Sequence, residues 1–208
     1  MVEPSKSQMA HFQAIPWVAR ELAEPGLVIQ EPASRVLDPD TRAFEFWGST
    51  LHTPTTVPFF VGAYRLPPEP DAGDDTADGP QPQRCYIKRA RFFLTLGRGV
   101  STIDENLCHG GVVASILDEC AGATCWANKA NGFLEFLPQV TRSLSVSYLK
   151  PVPTMATVAV TASLATADGI ELAVDLVLTD EAGTALAKGE AVFTSIRRTK
   201  KKGGGEKL

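Results

Sequence analysis

A chain of 208 residues with 44% apolar side chains has the length and hydrophobic content for one compact domain with a sizeable core. Its formal net charge of −4 gives no global drive toward nucleic acid or an anionic membrane, and no apolar run is long enough to span a bilayer. The four cysteines, Cys85, Cys108, Cys120 and Cys125, show neither CxxC nor Cys/His ligand spacing, which argues against a structural zinc.

The N-terminus lacks a basic-then-apolar signal pattern, and Glu3 argues against a transit peptide, so the expected compartment is the cytoplasm. Glu206-Lys207-Leu208 is a weak pointer to the peroxisome, because it lacks the small first residue of that address. Over residues 9–23, Phe12, Ile15, Val18, Ala19 and Leu22 fit one face of a short helix, with Pro16 tolerated only near its start. Residues 44–51 alternate well enough for a strand, and residues 59–66 form a second strand candidate. Residues 67–83 are rich in Pro, Gly and Asp and read as a mobile surface loop. Residues 85–96 have strong strand character, ended by Gly97 and Gly99.

From Gly110 to about Asn128 no proline interrupts, which predicts one long helix. Val112, Val113, Ile116, Leu117 and Cys120 cluster on one side at about 100° per residue. The opposite side carries Gly111, Ala114, Asp118, Gly122 and Cys125. With Cys120 and Cys125 on one helix, a mutual disulfide is geometrically disfavoured, which fits a reducing compartment. After Pro138 the period changes to two. Leu144, Val146 and Tyr148 alternate with Ser143, Ser145 and Ser147, up to Lys150, Pro151 and Pro153. Val158, Val160, Ala162 and Leu164 alternate next, then an Asp168-Gly169 hairpin signal, then Leu172, Val174, Leu176 and Leu178. A turn at 181–183 leads to a last strand over 185–196. Arg197, Arg198, Lys200, Lys201 and Lys202 read as a solvated charge run.

The expected architecture is α+β, an antiparallel sheet wrapped around one long central helix. The expected division is an N-terminal helical extension over 1–42, the main domain over 43–198, and a basic, Gly-rich disordered tail over 199–208.

The segment 106–122 carries the chemistry. His109-Gly110-Gly111 opens the helix, where unpaired N–H groups and a partial positive charge face outward and glycine lets an oxygen approach. That suits an oxyanion hole. Asp118 sits mid-helix, where aspartate has poor propensity and no cap to form, on the small-residue face. Burial there would push its pKa up toward the range of a general base. Glu119 points about 100° away and reads as structural. Cys108 beside His109 is a poor nucleophile candidate, since adjacent residues rarely aim side chains at each other. Gly111 and Asp118 are about 10 Å apart along the axis, so one helix cannot bring both to one reacting centre. Two antiparallel helices from two subunits can, which points to two shared sites on a two-fold interface.

The stretch from about Phe92 to Arg197 resembles the hot-dog-fold acyl-CoA thioesterase superfamily, in its phenylacetate-degradation and human thioesterase-superfamily-member branch. The matching residues are His109-Gly110-Gly111, Asp118, the strand end Val146-Ser-Tyr-Leu-Lys-Pro151 and the closing Ala187-Lys-Gly-Glu-Ala191. The resemblance implies a hot-dog fold and hydrolysis of an acyl thioester, with coenzyme A as thiol carrier and no metal or redox cofactor. It assigns Asp118 to activate water or attack the carbonyl, the Gly110 N–H to polarise that carbonyl, and Thr141 to orient water. His109 would fix the loop or bond near the carbonyl. Gly111, Asn106 and Lys150 are candidate substrate contacts, with Arg142 a second candidate for phosphate. Thr141 shares parity with Ser143, Ser145 and Ser147, so that face is polar enough to line a channel. Ile103 departs from the pattern, standing where some relatives carry Asn. The expected assembly is a homodimer, with a tetramer as the alternative.

Two rival readings remain at this point. Asp104-Glu-Asn106-Leu-Cys-His109 resembles the Asp-x-Asn-x-x-His pattern of hot-dog hydratases and dehydratases, with Asp104 and His109 activating water. A non-catalytic acyl-binding module of the same fold would have no need of Asp118.

Overall fold

The computed structural model describes residues 2–38, 40–41, 43–68, 86–168 and 170–196. Most of the expected loop over 67–83, Cys85, Gly169 of the hairpin signal, and the tail from Arg197 lie outside the described residues.

Among the described residues, seven strands form one antiparallel sheet: β1 Val28–Gln30, β2 Phe59–Tyr64, β3 Arg89–Leu96, β4 Gln139–Tyr148, β5 Ala156–Ala167, β6 Glu171–Thr179 and β7 Ala185–Ser195. Their order across the sheet is β1-β2-β3-β5-β6-β7-β4. The long helix α3, Gly110–Ala130, connects β3 to β4 at the far edge, and the chain returns through β5 beside β3. The sheet wraps α3, which packs against β3, β4, β5, β6 and β7. This is the hot-dog arrangement expected from the sequence. Its cause lies in α3, where Val113, Ile116, Leu117, Cys120, Ala121, Cys125 and Ala127 are all buried. A helix apolar around most of its circumference has to be surrounded.

The N-terminal segment differs from expectation. Instead of one helix, Lys6–Gln13 (α1) and Pro16–Leu22 (α2) are separate, because Pro16 is accommodated only as the first residue of a new helix. Both lie on the outer face of the sheet, where Phe12, Val18 and Leu22 pack against Val61, Ala63, Phe93 and Ala159. Phe60 and Tyr64 of β2 face the helix-side core. β2 is therefore buried on both faces, which is why its sequence runs apolar without alternating.

Residues 44–51 are not a strand. Phe46–Thr50 form a π-type turn, closed by the Leu51 N–H bonding to the Phe46 carbonyl at 2.8 Å. The alternation was misleading because Trp47 and Leu51, four apart, are the buried pair, whereas Phe44 and Phe46 are about half exposed. The segment is held by Arg35, whose buried guanidinium donates to the carbonyls of Trp47 (3.0 Å) and Val57 (2.7 Å). Glu31 is its acidic neighbour at 3.9 Å. The described residues between 31 and 58 thus form a strap from the outer layer across to the open side of α3. Arg35→Met should leave those carbonyls unsatisfied and lower stability by roughly 3 kcal/mol, read as a reduced urea midpoint.

Candidate active site

His109 is the N-cap of α3, and its Nδ1 accepts the Gly111 N–H at 3.0 Å. Gly110 is the first helical residue, so its N–H has no carbonyl of its own helix to reach. The Tyr148 hydroxyl donates to the Gly110 carbonyl at 2.9 Å. A cavity of ≈ 320 Å³ opens at this helix end, lined by Cys108, Gly110, Tyr148 and Lys150 among others.

Asp118 lies two turns further along α3, half-buried, and accepts a hydrogen bond from Thr141 Oγ1 at 2.9 Å. The sequence parity of Thr141 with Ser143 does not survive in the structure. The register between β4 and β7 shifts between Thr141, opposite Phe193, and Ser143, opposite Val192. That one-residue bulge turns Thr141 to the face of buried Phe193 and Leu144, toward the helix, while Ser143, Ser145 and Ser147 stay on the exposed side.

Two cavities meet at Asp118 and Thr141. The larger, ≈ 700 Å³, runs past Gly122 and Trp126 to Lys129, Phe136 and Gln139. The smaller, ≈ 430 Å³, runs past Ala114 and Ser115 beneath Phe46 and Trp47 of the strap. In the single chain the Gly110 end and the Asp118 region open into different cavities, as the helix geometry requires. A further cavity of ≈ 510 Å³ is lined by Glu21 of α2 and by Arg91 and Phe93, whose ring packs with the outer layer rather than with the α3 core.

Glu119, set aside as structural from the sequence, lines both Asp118 cavities. It accepts the Ser34 hydroxyl at 2.5 Å. Burial pushes its carboxyl up to about 7, with the Asp118 charge adding to the rise, while Ser34 and Arg35 oppose it. No local sequence signal marks this contact, because Ser34 arrives from 85 residues away on the strap.

The remaining candidates lie apart. The Asp104 carboxylate accepts from both the backbone N–H and side-chain amide of Asn106, in an exposed loop. His109 is instead engaged with Gly111, so Asp104 and His109 are not paired with each other by these bonds. Arg142, the extra residue of the bulge, pairs with Glu171 rather than facing the Gly110 cavity. Burial pushes the Cys108 thiol up to about 11, leaving it protonated at neutral pH and a weak nucleophile. Among the described residues no group of three or more His, Cys, Asp or Glu side chains is placed to hold a metal ion.

Residues 105–187 match the family model of the thioesterase superfamily. Among solved structures, a hypothetical thioesterase protein from Streptococcus pneumoniae TIGR4, crystallised with coenzyme A, is 14% identical. That match covers 53% of this chain and 80% of that one at a TM-score of 0.47. The E. coli PaaI protein from the phenylacetic acid degradation operon is 18% identical, covering 52% and 73% at a TM-score of 0.45. Mouse thioesterase superfamily member 2 is 14% identical, covering 53% and 82% at a TM-score of 0.45. No curated protein matches the chain.

A carboxyl at about 7 in the folded chain and near 4.5 when unfolded binds more protons folded than unfolded between those values. Stability should therefore fall as pH rises through that window. Glu119→Gln should shrink the difference between thermal melts taken at pH 5 and at pH 8.

Proposed function

With residues 105–187 matching the thioesterase superfamily, we propose that this chain hydrolyses an acyl thioester, with Asp118 as the catalytic carboxylate. The observation that carries the reading is the Thr141–Asp118 hydrogen bond at the junction of two cavities. Thr141 occupies one carboxylate oxygen and leaves the other for water or for the carbonyl carbon. One cavity then takes the acyl group and the other leads toward the leaving thiol.

The carbonyl oxygen is received by the N–H of Gly110 from the partner subunit, because about 12 Å of helix axis separates the two groups within one chain. As general base, Asp118 takes a proton from water while the water oxygen bonds to the carbonyl carbon. The tetrahedral intermediate then breaks its C–S bond, and the sulfur leaves with the proton returned from Asp118. As nucleophile, Asp118 instead bonds to the carbon itself, expels the thiolate and forms an anhydride that water opens. Either route gives free acid and thiol. A homodimer is supported by β4, an edge strand of the sheet whose residues are mostly exposed.

His109 holds the helix start, and Gly111, its own N–H capped, contributes room for the oxyanion. Coenzyme A is the proposed thiol carrier, with Lys150 beside the Gly110 cavity and Asn106 on the flanking loop as its contacts.

Release of thiol from a saturated acyl-CoA tests the activity and separates it from hydration, which frees no thiol. Asp118→Asn should cut turnover about 100-fold or more; near-normal turnover in the folded variant would overturn the assignment. Gly110→Pro removes the proposed donor and puts a ring in its place: proline suits a first helical position, His109 at φ −62°, ψ 132° already has the backbone that a following proline demands, and the added Cβ meets the Tyr148 ring at an ordinary 3.5 Å. It should melt like the parent yet lose about 100-fold in turnover. Mixing the two inactive variants, with subunit exchange, should restore about a quarter of the parental activity, since half the dimers would carry one intact site. No recovery would place both groups in the same subunit's reaction, against the shared site.

A further inference from the structure

We propose that the larger cavity receives the acyl part of a dicarboxylic acid half-thioester, whose free carboxylate is bound by Lys129 and Gln139. The proposal rests on Asp118 being the hydrolytic carboxylate. Lys129 lines that cavity, is only 5% exposed, and is eleven residues from Asp118 on α3. Eleven residues at about 100° each return to within about 20° of the same helix face. Gly122 lies between them. A side chain begun there would meet nothing nearer than the Phe193 ring at 3.9 Å, so the floor of the groove stays open.

The Lys129 ammonium has only neutral partners by its hydrogen bonds, the Leu137 carbonyl at 2.6 Å and Gln139 Oε1 at 2.5 Å. Among the described residues it takes part in no ion pair. An ammonium carries three donors, so one remains. Gln139, its oxygen given to Lys129, turns one amide N–H to the Cys125 sulfur and keeps the other for a ligand. Burial pushes the Lys129 ammonium down from its ordinary range, with the neighbouring Cys125 opposing the shift. Holding the Leu137 carbonyl explains why a donor stands there, but a buried charge is costly and neutral partners repay it poorly.

The strand opposite supplies the ruler. Gln139, which holds Lys129, and Thr141, which holds Asp118, are two residues apart on β4, about 7 Å at strand spacing, while the two residues they hold are about 16 Å apart along α3, so the span from acid to cation lies between these limits. The cavity therefore has acids, Asp118 and Glu119, at one end and a cation at the other, with Trp126, Phe136 and Val140 on the walls between. A free carboxylate is repelled from the first end and attracted to the second, and methylene groups suit the span. The charge order thus selects both the acyl class and its orientation.

Adipyl-CoA and hexanoyl-CoA, which share a carbon count and differ in the terminal carboxylate, test this. The parent should hydrolyse adipyl-CoA with a kcat/KM about tenfold or more above hexanoyl-CoA, and Lys129→Met should collapse that ratio. Gln139→Glu, which gives Lys129 an internal counter-ion, should collapse it too and serves if Lys129→Met fails to fold. A parent that favours hexanoyl-CoA, or variants that lower both substrates by one common factor, would overturn the inference and leave the thioesterase reading standing. If the parent hydrolyses neither, the hydrolytic reading fails. Calorimetric binding of the two thioesters to the parent then still decides the distal site: equal affinities overturn it, and tighter adipyl-CoA binding lost in either variant supports it.

Discussion

The need to bury α3 governs this structure. Its buried positions lie on most of its circumference, so a single flat contact surface cannot cover it. The sheet curves round it from β3 through β4, with register shifts in the β4–β7, β5–β6 and β6–β7 pairs where the curvature is taken up. One stripe of the helix is left open, and that stripe carries Asp118, Gly122 and the entry to Lys129. The proposed chemistry falls on the surface that wrapping leaves free among the described residues.

The bulge beside Arg142 links that packing solution to the site. Without it, Thr141 would follow the serines to the exposed face, and the Asp118 carboxylate would lose its hydroxyl partner. The strap contributes from the other direction. Arg35 anchors it through buried bonds to carbonyls, and Ser34, the neighbouring residue, reaches Glu119. The same few residues therefore close the fold and set the electrostatics next to Asp118.

What could be read from the sequence followed the reach of local periodicity. α3 and strands β5 to β7 were legible because their buried faces repeat at a constant period, and the family resemblance singled out Asp118 and Thr141 separately, without the hydrogen bond that joins them. Thr141's face was misread, because parity counting assumes an unbroken ladder and a bulge adds one residue without a compositional mark. Residues 44–51 were misread because two exposed phenylalanines imitate strand alternation, while the buried Trp47 and Leu51 have helical spacing. Glu119 was passed over because its partner is distant in sequence, and Lys129 because a last-turn lysine usually answers the helix dipole and nothing more.

The outer layer formed by α1 and α2 carries a consequence for assembly. Two sheets stack face to face at about 10 Å, and over β2 and β3 that space is already filled by Phe12, Val18 and Leu22 of the same chain. The back of this sheet is walled in on one half. On the other half the outer face is charged, with Asp175 of β6 opposite Glu190 of β7 and Lys188 two residues along β7 on the same side, all exposed. Back-to-back stacking is thus blocked by bulk on one side and would have to desolvate charges on the other, which leaves edge-on contact as the less obstructed way for copies of this chain to meet.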